Sequence, residues 1–288
     1  MKELSLKIPA TSANLGLGFD SIGLAVDLFL SITARPSSTW KFNFDSEALE
    51  QLSADEENMI VQTAKDIAKK FDQEMPSLEI DMSSDIPLAH GLGSSSTAVV
   101  AGIELANYFL ELGMTDEDKI FIGTSIEGHP DNIGPCITGS VFIGHYEEKL
   151  SYYTTSLEGI GLIVSIPPYE INTNIARAAL PEHYAKQTAV SQNSRNNVML
   201  LALWQKDYDL MAELMMQDEF HEPYRKSLIP EYDDVKKAAL DNGAYATVIS
   251  GAGPTLLTLC PEDKVDQILE ELNFIDHCTH KKVNVYHR

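Results

Sequence analysis

The sequence predicts an α+β fold in two lobes, and three observations carry that expectation. A chain of 288 residues is long enough for more than one compact lobe. Strand-length apolar runs alternate with runs of helical period, with no repeat and no low-complexity linker between them. The second half then follows the order strand, helices, two strands, helix, strand, which is the ferredoxin-like order of an αβ sandwich. The boundary falls near residue 157, giving an N-terminal lobe over 1–157 and a C-terminal lobe over 158–288.

Each element has a local reason. Leu4-Ser-Leu-Lys-Ile8 alternates as a half-buried strand does, and Ile22 to Ala34 reads as one or two strands around a turn. Between Ala54 and Phe71, Ile60, Ala64, Ile67, Ala68 and Phe71 share one helical face and the charges take the other. Ser77 to Met82 reads as a strand. Ala98 to Leu112 has the mostly apolar content of a buried helix, with Gly113 suited to its C-terminal cap. Thr115-x-x-Asp118 is a capping signal for a second helix that runs to about Ile126. In the second half, Gly161 to Ile166 is an apolar run halted by Pro167-Pro168. Helices are predicted near 184–205, 207–219 and 233–241, then strands Ala244–Ile249 and Thr255–Cys260, a helix from Glu262 and a last strand Lys282–Tyr286.

Composition excludes several classes of function. A net charge of −22 would repel a nucleic acid over most of the surface, while leaving room for a small anion in a local pocket. Cys136, Cys260 and Cys278 are few, odd in number and widely spaced. They suggest a reducing compartment, with neither a disulfide framework nor a zinc cluster. Charged residues interrupt the N-terminal stretch, and no later run would span a membrane, so the expected location is the cytoplasm, without membrane partners.

Pro87-Leu-Ala-His-Gly-Leu-Gly-Ser-Ser-Ser-Thr97 sets two glycines and four hydroxyl residues at the mouth of a helix. The first turn of a helix carries unpaired N–H groups and the positive end of the macrodipole, so phosphate settles there. Gly91 and Gly93 can take positive φ and bring the backbone close to a ligand. A Walker A loop would need Gly-Lys-Ser/Thr, and no Lys lies between Lys70 and Lys119. A dinucleotide fingerprint would need a third Gly where Ser96 stands and a strand directly before it. With no Lys in the loop, the charge of bound phosphates falls to backbone dipoles, a divalent metal and residues from elsewhere.

Three further stretches supply candidates. In Pro9 to Gly23, glycines and a proline surround Asn14 and Asp20; such residues stabilise turns unaided, or they face a cleft where Asp20 accepts from an ammonium or hydroxyl. Glu127-Gly-His-Pro-Asp-Asn132 gathers polar groups that suit a hard cation better than zinc. Magnesium needs only a carboxylate, here Glu127, a loop serine hydroxyl and substrate phosphates. Ile249-Ser-Gly-Ala-Gly-Pro-Thr255 joins two apolar runs, either as a simple connection or as a second backbone closing on one ligand. Of only five arginines, Arg177, Arg195 and Arg225 fall in one part of the second half, and Arg grips a carboxylate in a bidentate way that Lys cannot.

Together these motifs resemble the GHMP small-molecule kinases, in their homoserine kinase form. Pro87-x-x-x-Gly-Leu-Gly-Ser-Ser-Ser is similar to the family's phosphate loop, and Ser250-Gly-Ala-Gly-Pro-Thr to its C-terminal glycine motif. Pro9-Ala-Thr-Ser-Ala-Asn-Leu-Gly-x-Gly-Phe-Asp, Glu127-Gly-His-Pro-Asp-Asn and His221-Glu-Pro-Tyr-Arg225 resemble the homoserine kinase branch. The resemblance spans nearly the whole chain. It implies the two-lobed GHMP kinase fold and phosphorylation of the L-homoserine side-chain hydroxyl by ATP with Mg²⁺, on the route to threonine.

By the same resemblance, Ser95 and Glu127 would hold the metal. Pro87, Leu88, Ala89, His90, Gly91, Leu92, Gly93, Ser94, Ser95, Ser96 and Thr97 would wrap the triphosphate. Asn14, Asp20 and Asn132 would contact the amino acid, and Arg195 and Arg225 would grip its carboxylate, with Asp20, Asn132, Ser95 and Glu127 forming the catalytic set. A homodimer is implied by resemblance alone. Leu17 departs from a frequent Pro. Asn132 stands where several relatives carry an Asp base, and Asn cannot take a proton. Two alternatives stay open at this level: a family member acting on another small alcohol, and a non-catalytic nucleotide or amino-acid sensor.

Overall fold

The computed structural model describes residues 2–288. The first half builds a six-stranded sheet from β1 (Leu4–Ala13), β2 (Ile22–Pro36), β3 (Lys41–Phe44), β4 (Leu78–Ser84), β5 (Val141–Tyr146) and β6 (Leu150–Thr155). Its order is β3-β4-β2-β5-β6, with β1 also paired to β2. The helices of this half are α1 (Glu47–Glu50), α2 (Met59–Lys70), α3 (Ser94–Phe109), α4 (Asp116–Glu127) and α5 (Pro130–Thr138).

The second half builds an antiparallel four-stranded sheet from β7 (Ile160–Ile166), β8 (Ala246–Ile249), β9 (Leu256–Pro261) and β10 (Thr279–Val283), in the order β10-β7-β9-β8. That order is ferredoxin-like, as expected. Helices α6 (Thr173–Ala178), α7 (Lys186–Gln205), α8 (Tyr208–Met215), α9 (Glu222–Arg225) and α10 (Tyr232–Asp241) lie between β7 and β8, and α11 (Val265–Leu272) precedes β10. One apolar cluster runs through both sheets, joining Leu24, Ile80, Leu105 and Phe142 to Leu162, Val248 and Leu257. A second, with Val235, Ile249, Leu256 and Ile268, seats α10 and α11. Among the described residues, no helix is long and apolar enough to cross a membrane.

Several local expectations are corrected. Ile22 to Ala34, expected as one or two strands around a turn, lies within the single strand β2, on which Asp27 accepts hydrogen bonds from the Asn284 amide and Nδ2, both at 2.7 Å. Helix α2 starts at Met59, where Asn58 caps the Ile60 amide at 3.0 Å. Helix α3 begins at Ser94 and stops at Phe109, with Glu111 in the left-handed region at φ 55°, so Gly113 lies beyond the cap. Gly128 closes α4 at φ 92°, and Pro130 opens α5, a separate helix hidden in sequence by its own prolines. The hairpin β5–β6 was not anticipated, and the last strand begins at Thr279 rather than Lys282.

Candidate functional site

The Pro87–Thr97 loop, the one expected to take phosphate, gains its shape from backbone that most residues refuse. Ala89, Gly91 and Gly93 take φ of 56°, 79° and 72°. A Cβ on Gly91 would lie 2.3 Å from the Ser250 carbonyl oxygen, and one on Gly93 would lie 2.2 Å from Thr11 Oγ1. Such contacts are closer than any side chain tolerates, so both positions demand glycine. Gly93 is the cap residue of α3 and offers no side chain, leaving the first amides of that helix to solvent or ligand. Ser94 Oγ accepts from the Ala89 amide at 3.3 Å and ties the loop to the helix.

The Ser250–Thr255 loop packs directly against this one. Ser250 donates from Oγ to the Gly91 carbonyl at 2.7 Å, and the Thr255 amide donates to His90 O at 3.2 Å. The Gly251 amide donates to Ala13 O at 3.1 Å, while its carbonyl accepts from Asn14 Nδ2 and an Arg225 amine, each at 3.0 Å. The Gly253–Pro254 peptide is cis. Two backbones from the two halves of the chain therefore close on one place.

Around them opens a cavity of about 740 Å³. Its wall takes residues from the first loop, the start of α2, the phosphate loop, the junction of α4 and α5, α6, and Gly251–Ala252. Leu88, Ala89, Gly91, Gly93 and Ser94 to Thr97 line it; Pro87, His90 and Leu92 stand behind, with Leu92 buried and its carbonyl accepting from the Thr11 amide. Ser95 Oγ lies 2.9 Å from Glu127 Oε1, across from one helix start to another helix end. Glu127 is the last residue of α4, where the negative end of the macrodipole disfavours a carboxylate without a cation. A hydroxyl and a carboxylate side by side, facing a cavity beside free helix amides, are the hard-oxygen set that magnesium takes.

On the cavity's other side lies a dense charge group. Asn14 and Asp20 hold positive φ of 73° and 55°, and Asn14 Oδ1 accepts from the Asp20 amide at 3.1 Å, so the side chain of one fixes the turn of the other. Asp20 accepts both Arg177 amines, at 3.1 and 3.0 Å. Arg225, 2% exposed, also lines the cavity, and the two guanidinium carbons sit 5.8 and 5.3 Å from the Phe19 ring centre. Burial, and then repulsion from Arg177, push the Arg225 pKa down against the pull of Asp20, Asp131 and Asp218.

Asn132, on the first turn of α5, accepts from Thr11 Oγ1 at 2.8 Å and points its amide toward Asp131 Oδ1 at 3.3 Å. Asp131 is buried and contacts His129 Nδ1. Burial works against the imidazolium, yet the Asp131 hydrogen bond and charge, with Asp20 beyond, hold the His129 pKa up at about 9.

The structure thus brings together Asn14, Asp20, Ser95, Glu127, Asn132 and Arg225. It does not bring Arg195. That residue, on α7, donates to Glu219 Oε2 at 2.6 Å and to the Gln217 carbonyl at 3.2 Å, and is absent from the cavity wall. Arg177 lines the cavity instead. No periodicity distinguishes the two; only the Asn172 cap that starts α6 and aims it at the first loop does so. His129 reads in the sequence as a turn residue hydrogen-bonded to backbone, whereas its Nδ1 contacts the carboxylate of Asp131, a residue not singled out by its own pattern. His221 and Glu222 of the same motif are a buried support: His221 Nε2 lies 2.9 Å from Gly16 O, and Glu222 accepts from the Ile249 amide at 2.6 Å and from Tyr232 at 2.7 Å.

Comparison with known proteins gives this geometry a context. The pattern described as GHMP kinases N terminal domain matches residues 58–140, and that described as GHMP kinases C terminal matches 199–276. The chain is 44% identical to a homoserine kinase of Staphylococcus epidermidis over 288 residues, 98% of this chain and 94% of that protein. It is 44% identical to a homoserine kinase of Staphylococcus aureus over 275 residues, covering 94% and 90%. The crystal structure of homoserine kinase from Cytophaga hutchinsonii superposes with a TM-score of 0.87 at 28% identity, covering 100% of this chain and 96% of that one. By these matches over nearly its whole length, the chain belongs to the homoserine kinases of the GHMP kinase family.

Proposed function

We propose that this chain transfers the γ-phosphoryl group of ATP to the side-chain hydroxyl of L-homoserine, giving ADP and O-phospho-L-homoserine for threonine synthesis. The observation that carries the choice of substrate is the Asp20–Arg177–Arg225 group beside the start of α3. It offers one carboxylate for an ammonium and two guanidiniums for a carboxylate, the complement of an amino acid whose side chain then points at the phosphates. Mevalonate and sugars lack the ammonium that Asp20 would accept.

In this reading residues 1–157 hold the phosphates and residues 158–288 supply the arginines. The α3 amides and the Gly91–Ser96 backbone receive the triphosphate. Ser95 and Glu127 would hold Mg²⁺, which supplies charge neutralisation on the phosphate oxygens when bound. Asn14 fixes the first loop, and Asp20 orients the substrate. The His129 imidazolium, held charged by Asp131, adds a fixed positive charge to the same wall.

Asn132 can hold a hydroxyl in place but cannot take its proton. Phosphoryl transfer through a loose transition state needs little basic help, so positioning and charge stabilisation carry the rate. A coupled ADP-release assay with homoserine, mevalonate, galactose and no acceptor tests the reading. ADP should appear with homoserine alone; equal release with mevalonate, or none with any acceptor, would overturn it.

A further inference from the structure

Away from the cleft, Glu231, His277 and Cys278 bring a carboxylate oxygen, an imidazole nitrogen and a thiol sulfur within 4.8 Å of one another. Glu231 caps α10, whereas His277 and Cys278 lie in the turn between α11 and β10. Glu231 is only 7% exposed, and among the described residues no Lys or Arg pairs with it. Its Oε2 accepts from the Tyr169 hydroxyl at 2.6 Å, and its Oε1 lies 3.1 Å from His277 Nε2. A carboxylate so far removed from water requires a cation.

An imidazolium alone would answer that need, but it would leave the thiol unexplained. Sulfur, nitrogen and oxygen donors from three residues, with one position left open, are the mixed set that a borderline-soft divalent ion prefers. The spacing of cysteines in the sequence gives no hint of it, because only one ligand is a cysteine.

We propose that Glu231, His277 and Cys278 form a zinc site with water in the fourth position, the Glu231 carboxylate being oriented by the hydrogen bond it accepts from Tyr169. The site joins the 276–278 turn to the start of α10. Through Tyr169 it also reaches the loop after β7, whose Ile171 and Asn172 line the cleft. Its role is structural, fixing the segment that leads into α6.

The folded full chain, in excess Mg²⁺ to fill oxygen sites, is titrated with Co²⁺ and then Zn²⁺. One equivalent of Co²⁺ should produce a thiolate-to-cobalt band in the near ultraviolet, and Zn²⁺ should displace it. Cys278→Ser should abolish the band, and Cys136→Ser and Cys260→Ser should leave it intact. Zinc affinity should fall at least about 10-fold in exposed His277→Ala, and about 10-fold in Tyr169→Phe, the cost usual for an orienting partner. If Cys278→Ser fails to fold, His277→Ala decides by the same readout. No band in the wild-type chain, a band surviving in Cys278→Ser, or unchanged affinity in His277→Ala would each overturn the proposal and leave an ion pair with a bystander thiol.

Discussion

The two ends of the cleft are built from different materials. At the end proposed for the phosphates, Gly91, Gly93 and Ser250–Thr255 shape the wall with backbone, and a Cβ at Gly91 or Gly93 has no space. At the end proposed for the amino acid, Asp20, Arg177 and Arg225 shape it with charged side chains, and Asp20 and Arg177 are partly open to solvent. A phosphate group is common to every reaction of this type, so its receptor can be fixed in the chain itself. An acceptor differs from one relative to the next, and side chains are what a sequence can exchange without refolding. The contrast predicts that changes at the first end damage fold and turnover together, whereas changes at the second alter affinity for one substrate.

The largest effect should follow Gly91→Val. Positive φ and a carbonyl 2.3 Å from the new Cβ should cost about 3 kcal/mol or more, from the left-handed strain and overpacking combined. Urea unfolding together with initial rates checks this, and normal stability would break the claim that the loops interlock. Glu127→Ala should lower kcat about 100-fold or more while barely changing stability. Rates measured over a Mg²⁺ series decide it, and near-normal turnover at saturating Mg²⁺ would remove Glu127 from the site. Arg177→Lys should raise the homoserine KM roughly 10-fold or more and leave the ATP KM alone, because the bidentate grip is lost.

Two smaller effects sharpen the comparison. Asn132→Asp should depress kcat by about 10-fold rather than rescue a missing base, since it sets a second carboxylate beside Asp131 at the present 3.3 Å contact. A faster enzyme would show that a base was wanting there. Arg195→Lys should change neither KM by more than about 2-fold, as its partner Glu219 keeps a cation in either case. A large rise in the homoserine KM would restore Arg195 to the clamp.

Legibility in the sequence follows the same division. Glycine loops are readable because left-handed backbone and close approach admit few residues, so Gly91, Gly93 and Ser250–Thr255 announce themselves. Helix α5 was missed because Gly128 and Pro130 look like the end of one helix when they also start the next. The β5–β6 hairpin carries Gly144 and polar residues at strand positions, which weakens its alternation. The choice between Arg177 and Arg195 could not be read at all. Both are arginines on predicted or short helical segments, and which of them meets Asp20 depends on a contact across 157 positions of sequence.

The seam between Gly91 and Gly251 also limits how such chains can be recombined. Ser250 Oγ, the Gly91 carbonyl and the Thr255 amide bind two segments more than 150 residues apart, at near-zero clearance. A chimaera that takes its first half from one relative and its second from another inherits two surfaces shaped against different partners. Crossovers that keep the two loops from the same parent should give working enzymes, even when the crossover points fall inside a helix. A cut at the apparently natural joint near residue 157 separates them, and its success should depend on how closely the parents agree at those few backbone contacts rather than on their overall identity.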